Sequence, residues 1–359
     1  MSYSEVKKKL IVFRLKNNAF KDPVDRLRGL DVLLKLRERG WNVEFFNEQR
    51  DIDLMISLGF DFKCYCDINS FKPKKLILDV QDDHLTSNKE ALKKIPGNRF
   101  GKYKRAFYIF NERGIWPVMA IFLYKTISKV TFKKLAEKAD LLITSSYALE
   151  KKLNKINLNI CTIPDSIDYK LYLPNLIPNN SDTISIVWVG TASNIKYLLL
   201  INDSLKNIQA KYNVSIKIVT SRQIFVEPTF NSIVQSIRFD FDFIEWEQDT
   251  FGEHLFKADI GIAPLPVGIA KSSNKILSYM ASGLAVLCSG SIDYKLLHNE
   301  NPNAFYFSND FEEWEAILER LILDREKASL TAKQGNSLAK SFDIDALVEE
   351  YEKKIISLF

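Results

Sequence analysis

The chain has 359 residues, 46% of them hydrophobic and 26% charged, with a formal net charge of +5. That is enough for two cores, and the balance excludes disordered, fibrous and collagen-like classes. No apolar run reaches about 18 residues, and the opening MSYSEVKKKLIVFRL lacks the apolar block and small-residue site of a secretory signal, so neither a membrane span nor export is expected. Cys64 and Cys66 form a C-x-C, while Cys161 and Cys288 stand apart. No second Cys or His pair completes a zinc pattern, which predicts reduced thiols in a cytoplasmic protein and no bound metal.

In chain order, KKLIVFRL reads as a first strand. In DPVDRLRGLDVLLKLRERGWNVEFF, Pro23 suits a first helical turn, leucines recur at helical spacing, and Gly40 ends the helix before another strand. DIDLMISL, KLILDV, ADLLITSS and NICTIP follow as strands alternating with helical segments, which predicts a parallel sheet with right-handed crossovers. Residues 164–182 carry three prolines and no periodicity and are the best linker. The pattern then restarts: strand ISIVWVG, helix NIKYLLLINDSLKNIQAKY, and strands VSIKIVTS, FDFIEW, DIGIAPL and AVLCSG. The final IDALVEEYEKKIISLF is an amphipathic helix with no obvious partner in its own half. Two open α/β halves of this kind make a cleft at the carboxyl ends of their strands, where such sheets bind ligands.

The charge is unevenly spread. Eleven lysines and arginines fall between Lys93 and Lys134 against Glu112 alone, with RAFYIF and IWPVMAIFLY among them. Basic residues with aromatics suit nucleic acid, but no RNA- or DNA-binding module surrounds these, so nucleic acid is not an expected partner. IWPVMAIFLY is too short to span a bilayer and is flanked by Arg113 and Lys125. Residues 93–134 are therefore expected to rest on an anionic membrane surface, the alternative being a core helix with a solvated basic face.

The stretch ADIGIAPLPVGIAKSSNKILSYMASGLAVLCSG holds the clearest chemistry. A strand ends near Leu265, a loop carries Lys271, and Ser272, Ser273 and Asn274 are good cap residues for a helix that Gly283 ends in a left-handed turn. Free N–H groups at such a start point at an anion. The helix dipole adds only about 0.3–1 kcal/mol, so a firmly held diphosphate also needs cations, and Lys271 and Lys275 are available. On spacing alone a capped core helix with solvated lysines is an equal reading. VGTASNIKYL places Gly190, Thr191, Ser193 and Lys196 after a strand, a turn suited to a sugar or phosphate or simply a turn capped by Ser193. ILDVQDDHL ends a strand with Asp79, Asp82, Asp83 and His84. These are candidate general bases for an acceptor hydroxyl, or else a capping acidic turn.

Taken with ISIVWVGTASNIKYL, ADLLITSSYALEKKL and CTIPDSIDYKLY, the pattern K-[IL]-L-x-Y-M-A-x-G-L-x-V resembles the glycosyl transferases group 1 (family four) type of GT-B glycosyltransferases, most strongly over 139–172 and 184–290. The resemblance implies two Rossmann-like domains facing a central cleft. Residues 1–170 would form an acceptor-side domain, 171–338 a nucleotide-sugar domain, and 339–359 a helix crossing back to the first. It implies transfer of a sugar from a UDP-, GDP- or dTDP-sugar, with no permanently bound cofactor, to a hydroxyl of a glycan or lipid-linked glycan. The setting implied is bacterial surface-polysaccharide synthesis at the inner face of the cell membrane. Lys271, Lys275, Arg222 and Gly190 would hold the diphosphate, and Trp246 would lie near the nucleobase. The family also places one glutamate where Ser278 stands and another where Ala270 stands, for the ribose and the donor sugar respectively. Both carboxylates are missing here, leaving Ser278 a weaker hydrogen bond to a ribose hydroxyl. A non-catalytic GT-B homologue that binds a glycan or a partner protein is the alternative.

Overall fold

The computed structural model describes residues 1–15, 25–81, 115–172, 174, 182–247 and 250–359, the side chains of 115–126 excepted. The chain divides into two compact units, Met1–Asp165 with Ile344–Phe359 and Ser166–Asp343.

The sheet of the first unit contains β1 (Ile11–Arg14), β2 (Val43–Phe45), β3 (Leu54–Leu58), β4 (Lys75–Val80), β5 (Leu141–Thr144) and β6 (Ile160–Thr162), in the order β2-β1-β3-β4-β5-β6. All pairings are parallel. β1, β3 and β5 are buried along their whole length, as expected of strands covered on both faces. The period of two sorts their side chains: Ile11 and Phe13 pack with Leu347, Val348, Tyr351 and Ile355 of the C-terminal helix Ile344–Ser357, and Val12 packs with Phe132 and Leu135 on the other face. The amphipathic stripe of that last helix thus finds its partner in the first unit. Trp41 and Arg39 donate to the Glu352 carboxylate at its rim, at 2.6 and 2.9 Å.

The segment after β1 does not enter its helix directly. Asp25–Leu30 is a π-helical turn, and the α-helix runs from Asp31 to Glu38. Gly40, at φ +83°, then turns the chain into β2, as its position predicts. The π turn delivers Arg28 into the interior, where it donates to Asp79 (3.0 Å), to the Ile163 carbonyl (2.9 Å) and to Asp165 (3.1 Å). Tyr351 and Gln81 also donate to Asp79. One guanidinium therefore ties β4, the chain leaving the unit, and a carboxylate shared with the C-terminal helix. Burial raises the Asp79 carboxyl and Arg28 pulls it back, while Arg28 itself is held charged.

The second unit repeats the architecture with β7 (Ile184–Val189), β8 (Val214–Thr220), β9 (Asp242–Glu245), β10 (Ile260–Ala263), β11 (Ala285–Cys288) and β12 (Tyr306–Phe307). Their order is β12-β11-β10-β7-β8-β9, again all parallel. The expected single helix after β7 is two pieces, a 3₁₀ stretch Ala192–Ile201 and an α-helix Asn202–Lys211. Apolar residues crowd the first piece, and Ala192, Ile195, Leu198 and Ile201, three apart, all bury, the spacing that a 3₁₀ helix stacks on one side. Residues 166–172 are fastened to this unit: Ile167 bridges to Asp343, and the Tyr169 hydroxyl donates to Asn336 at 2.8 Å. Among the described residues no helix is long and apolar enough to cross a membrane.

Candidate functional site

The carboxyl ends of β7, β8, β9 and β10 carry almost every residue singled out in the second half. The helix Asn274–Ala281 is stapled there by Tyr279. This buried phenol donates to the Ile262 carbonyl of β10 (3.2 Å) and accepts from the Val189 N–H at the end of β7 (2.8 Å). A Cβ on Gly261 would lie 2.5 Å from the Tyr279 ring, so a glycine in β10 is what lets the helix approach.

The loop between β10 and this helix is clamped from the next βα turn. Ser289 Oγ accepts from the Leu265 N–H (3.0 Å) and donates to its carbonyl (3.1 Å). The Gly268 N–H donates to the Gly290 carbonyl (2.7 Å), and Ser291 Oγ donates to the Lys271 carbonyl (2.7 Å). Gly290 has φ +79°, and a Cβ there would sit 2.0 Å from the Leu265 carbonyl oxygen, so only glycine closes this clamp. The loop's backbone is fixed before any ligand arrives, a condition for precise electrostatics.

At the helix start Ser273 occupies the cap position without a capping hydrogen bond from its side chain. Ser272, Ser273 and Asn274 are half-buried and Lys271 is exposed. Lys275, half-buried, holds its ammonium 4.7 Å from the Trp188 ring centroid and 3.4 Å from where a Cβ on Gly190 would be. Burial and then Lys271 push Lys275 down to about 7. Burial and then Lys271 also lower Lys196. Lys196, Lys271 and Lys275 thus form one cluster of amines around the Gly190 turn, and no ion pair engages any of them among the described residues. Thr191, exposed beside the turn, shares a hydrogen bond with Ser193 (3.1 Å).

Other candidates are differently employed. Arg222 is exposed and ion-paired with Glu245 at 3.0 Å, its guanidinium over Phe243. Trp246 is half-buried at the end of β9; its backbone N–H donates to the Thr220 carbonyl (3.0 Å) and its ring lies 6.3 Å from Phe251. Ser278 is buried. Its hydroxyl donates to the Asn274 carbonyl (3.1 Å) and meets the Tyr172 hydroxyl at 3.0 Å. Tyr172 in turn stands edge-on to Phe251. In the first unit Asp79 is sealed in the Arg28 network, with no exposed surface. This corrects its reading as a candidate base, because a fully paired interior carboxylate cannot reach an acceptor. Asp82, Asp83 and His84 lie outside the described residues, as does most of 93–134. Trp188, Tyr279 and Tyr172 were not singled out from the sequence. Their contacts join residues remote along the chain; Tyr279 stands in the pattern K-[IL]-L-x-Y-M-A-x-G-L-x-V, but nothing local marks its bonds or singles out Trp188 and Tyr172.

Neither a family model nor any curated protein matches the chain by sequence. Its structure is similar to Anabaena HepE in complex with UDP and glucose, with a TM-score of 0.67 at 13% identity over 96% of this chain and 99% of that one. It is similar also to WaaG, a glycosyltransferase involved in lipopolysaccharide biosynthesis (TM-score 0.61, 11% identity, 96% and 99% covered). A third likeness is to the UDP-forming α,α-trehalose-phosphate synthase of Burkholderia xenovorans (TM-score 0.65, 10% identity, 97% and 98% covered). The two six-stranded parallel sheets and these likenesses make the fold GT-B.

Proposed function

We propose that the protein is a glycosyltransferase that moves a sugar from a UDP-, GDP- or dTDP-sugar to a hydroxyl of a glycan or lipid-linked glycan. The observation that carries this reading is the group Lys196, Lys271 and Lys275 around Gly190 and the helix start, lysines without a carboxylate partner among the described residues. Loss of the sugar leaves negative charge on the departing diphosphate, and fixed donors aimed at developing charge are the largest usual source of rate acceleration. Lys271, Lys275 and the N–H groups at Ser272, Ser273 and Asn274 supply those donors, with Thr191 beside them. Arg222 joins when it exchanges Glu245 for phosphate, a trade that its exposure makes cheap. The complexes of HepE with UDP-glucose and with UDP support a donor of this class.

In this reading Trp246 flanks the base, Ser278 meets the ribose, and Asp82, Asp83 or His84 takes the acceptor proton. Residues 93–134 hold the enzyme to the inner face of a bacterial membrane, where surface polysaccharide is assembled. Calorimetric titration with UDP, GDP and dTDP tests it. At least one should bind, and replacing both Lys271 and Lys275 by Met should weaken that binding by tenfold or more. Unchanged affinity in the double variant would remove the assignment.

A second reading is favoured by one observation: the Ser278 hydroxyl is already bonded to Tyr172 and Asn274, and no carboxylate stands at 270 or 278. On that reading the chain is a non-catalytic GT-B homologue that binds a glycan or a partner protein. Release of free nucleoside diphosphate from a nucleotide-sugar separates the two, since only the enzyme produces it.

A further inference from the structure

The surroundings of Lys275 set a condition on anion binding that its charge alone does not. Its amine lies over Trp188, a fully buried indole whose own N–H has no hydrogen-bond partner, and beside the bare backbone of Gly190. From the loop ahead of the helix the charged group facing it is Lys271. Lys196, on the 3₁₀ stretch, faces Lys271 in turn. On its own helix the titratable neighbour one turn on, Tyr279, has its hydroxyl occupied by Val189 and Ile262. No carboxylate enters from any of these elements. The ring face attracts an ammonium, yet half-burial and a like-charged neighbour oppose it, and they prevail: the amine titrates at about 7 rather than near its usual range. An arriving diphosphate reverses both opposing influences, since it brings negative charge and screens Lys271.

We propose that anion binding at this site is coupled to proton uptake by Lys275, which above neutral pH rests as a neutral amine over Trp188 in the free protein and becomes an ammonium as a nucleoside diphosphate arrives. The inference rests on the glycosyl-transfer reading for the identity of the anion. The balance is one amine and one proton from solvent giving one ammonium, and departure of the diphosphate returns the proton. Affinity for the diphosphate then falls by about tenfold for each pH unit above about 7 until the bound-state value is reached.

The test is calorimetry of UDP, GDP and dTDP on the full chain, in buffers of different ionisation heat, at a mildly acidic and a mildly alkaline pH. The expected result is uptake of about one proton per site on the alkaline side and little on the acidic side, with affinity at least about tenfold weaker on the alkaline side. On the alkaline side, above the nucleotide's own terminal-phosphate titration at about 6, Lys275→Arg should bind with no proton uptake and a flat pH profile, because guanidinium stays charged throughout. Binding without proton uptake in the unaltered protein overturns the inference and leaves the glycosyl-transfer reading standing, as does uptake that persists in Lys275→Arg. Failure of all three nucleotides to bind at either pH removes both.

Discussion

Lys275 is surrounded by features that make its charge costly in the free protein, and this has a consequence for stability that needs no ligand. Its folded-state value, about 7, lies below the roughly 10.4 of an unfolded lysine. Between those two values the unfolded chain binds the extra proton, so stability contributed here is present at high pH and lost as pH falls through 7. Lys275→Met removes the titration. The variant should gain melting temperature relative to the unaltered protein at pH 6, and the gain should shrink by pH 9. An offset that is constant across that range would show that the amine is not disfavoured in the fold. Ser278 raises the companion question. A carboxylate there must displace the Tyr172 hydroxyl and lose solvent, so Ser278→Glu should lower stability by about 1–3 kcal/mol in urea unfolding. If the ribose lies at this position, the same variant should bind nucleoside diphosphate more tightly.

Two elements are held by single side chains whose loss has a defined cost. Tyr279 pairs both the Val189 N–H and the Ile262 carbonyl; Tyr279→Phe leaves both buried groups unpaired and should cost about 1–3 kcal/mol. It should also weaken nucleotide binding, because the helix start loses its tether to β7. Arg28 is the counterpart in the first unit. Arg28→Met strands Asp79 in the interior and should cost about 3–5 kcal/mol in chemical denaturation, whereas the double change with Asp79→Leu should recover part of that loss. The elements themselves were legible where apolar runs or leucine spacing dominate: β1 to β11 follow from short apolar runs alternating with helical segments. The π turn at Asp25–Leu30 and the 3₁₀ stretch Ala192–Ile201 were not, since tertiary packing chooses between helical forms of similar local preference. β12 was missed because two residues, Tyr306 and Phe307, are too few for any pattern. For the candidate site, the lysines, the glycine turn and the helix start are visible in sequence. The resting place of Lys275 on Trp188 is not, because the two belong to different βα segments and meet only when β7 and β10 pair.

At the scale of the whole molecule, residues 93–134 concentrate positive charge that the remainder of the chain offsets. If they rest on lipid, co-sedimentation with vesicles should rise with anionic lipid and fall as salt shortens the screening length, which is about 8 Å at physiological ionic strength. Charge reversal at Lys102, Lys104 and Arg105 should reduce it, while Trp116→Ser and Phe122→Ser should remove a salt-resistant remainder. Absence of binding to anionic vesicles at low salt would point instead to a soluble acceptor.

The split composition of the first unit also bears on how the protein is made. One face of its sheet is covered by Leu347, Val348, Tyr351 and Ile355, residues that follow the entire second unit along the chain. On the ribosome, Ile11, Phe13, Ile56 and Ile143 must therefore wait, partly uncovered, while some 180 intervening residues are translated, roughly ten to forty seconds at ordinary elongation rates. The unit synthesised first is the one completed last. A nascent chain stalled anywhere in the second unit would carry an open apolar face, the state in which chaperone capture and aggregation compete with folding.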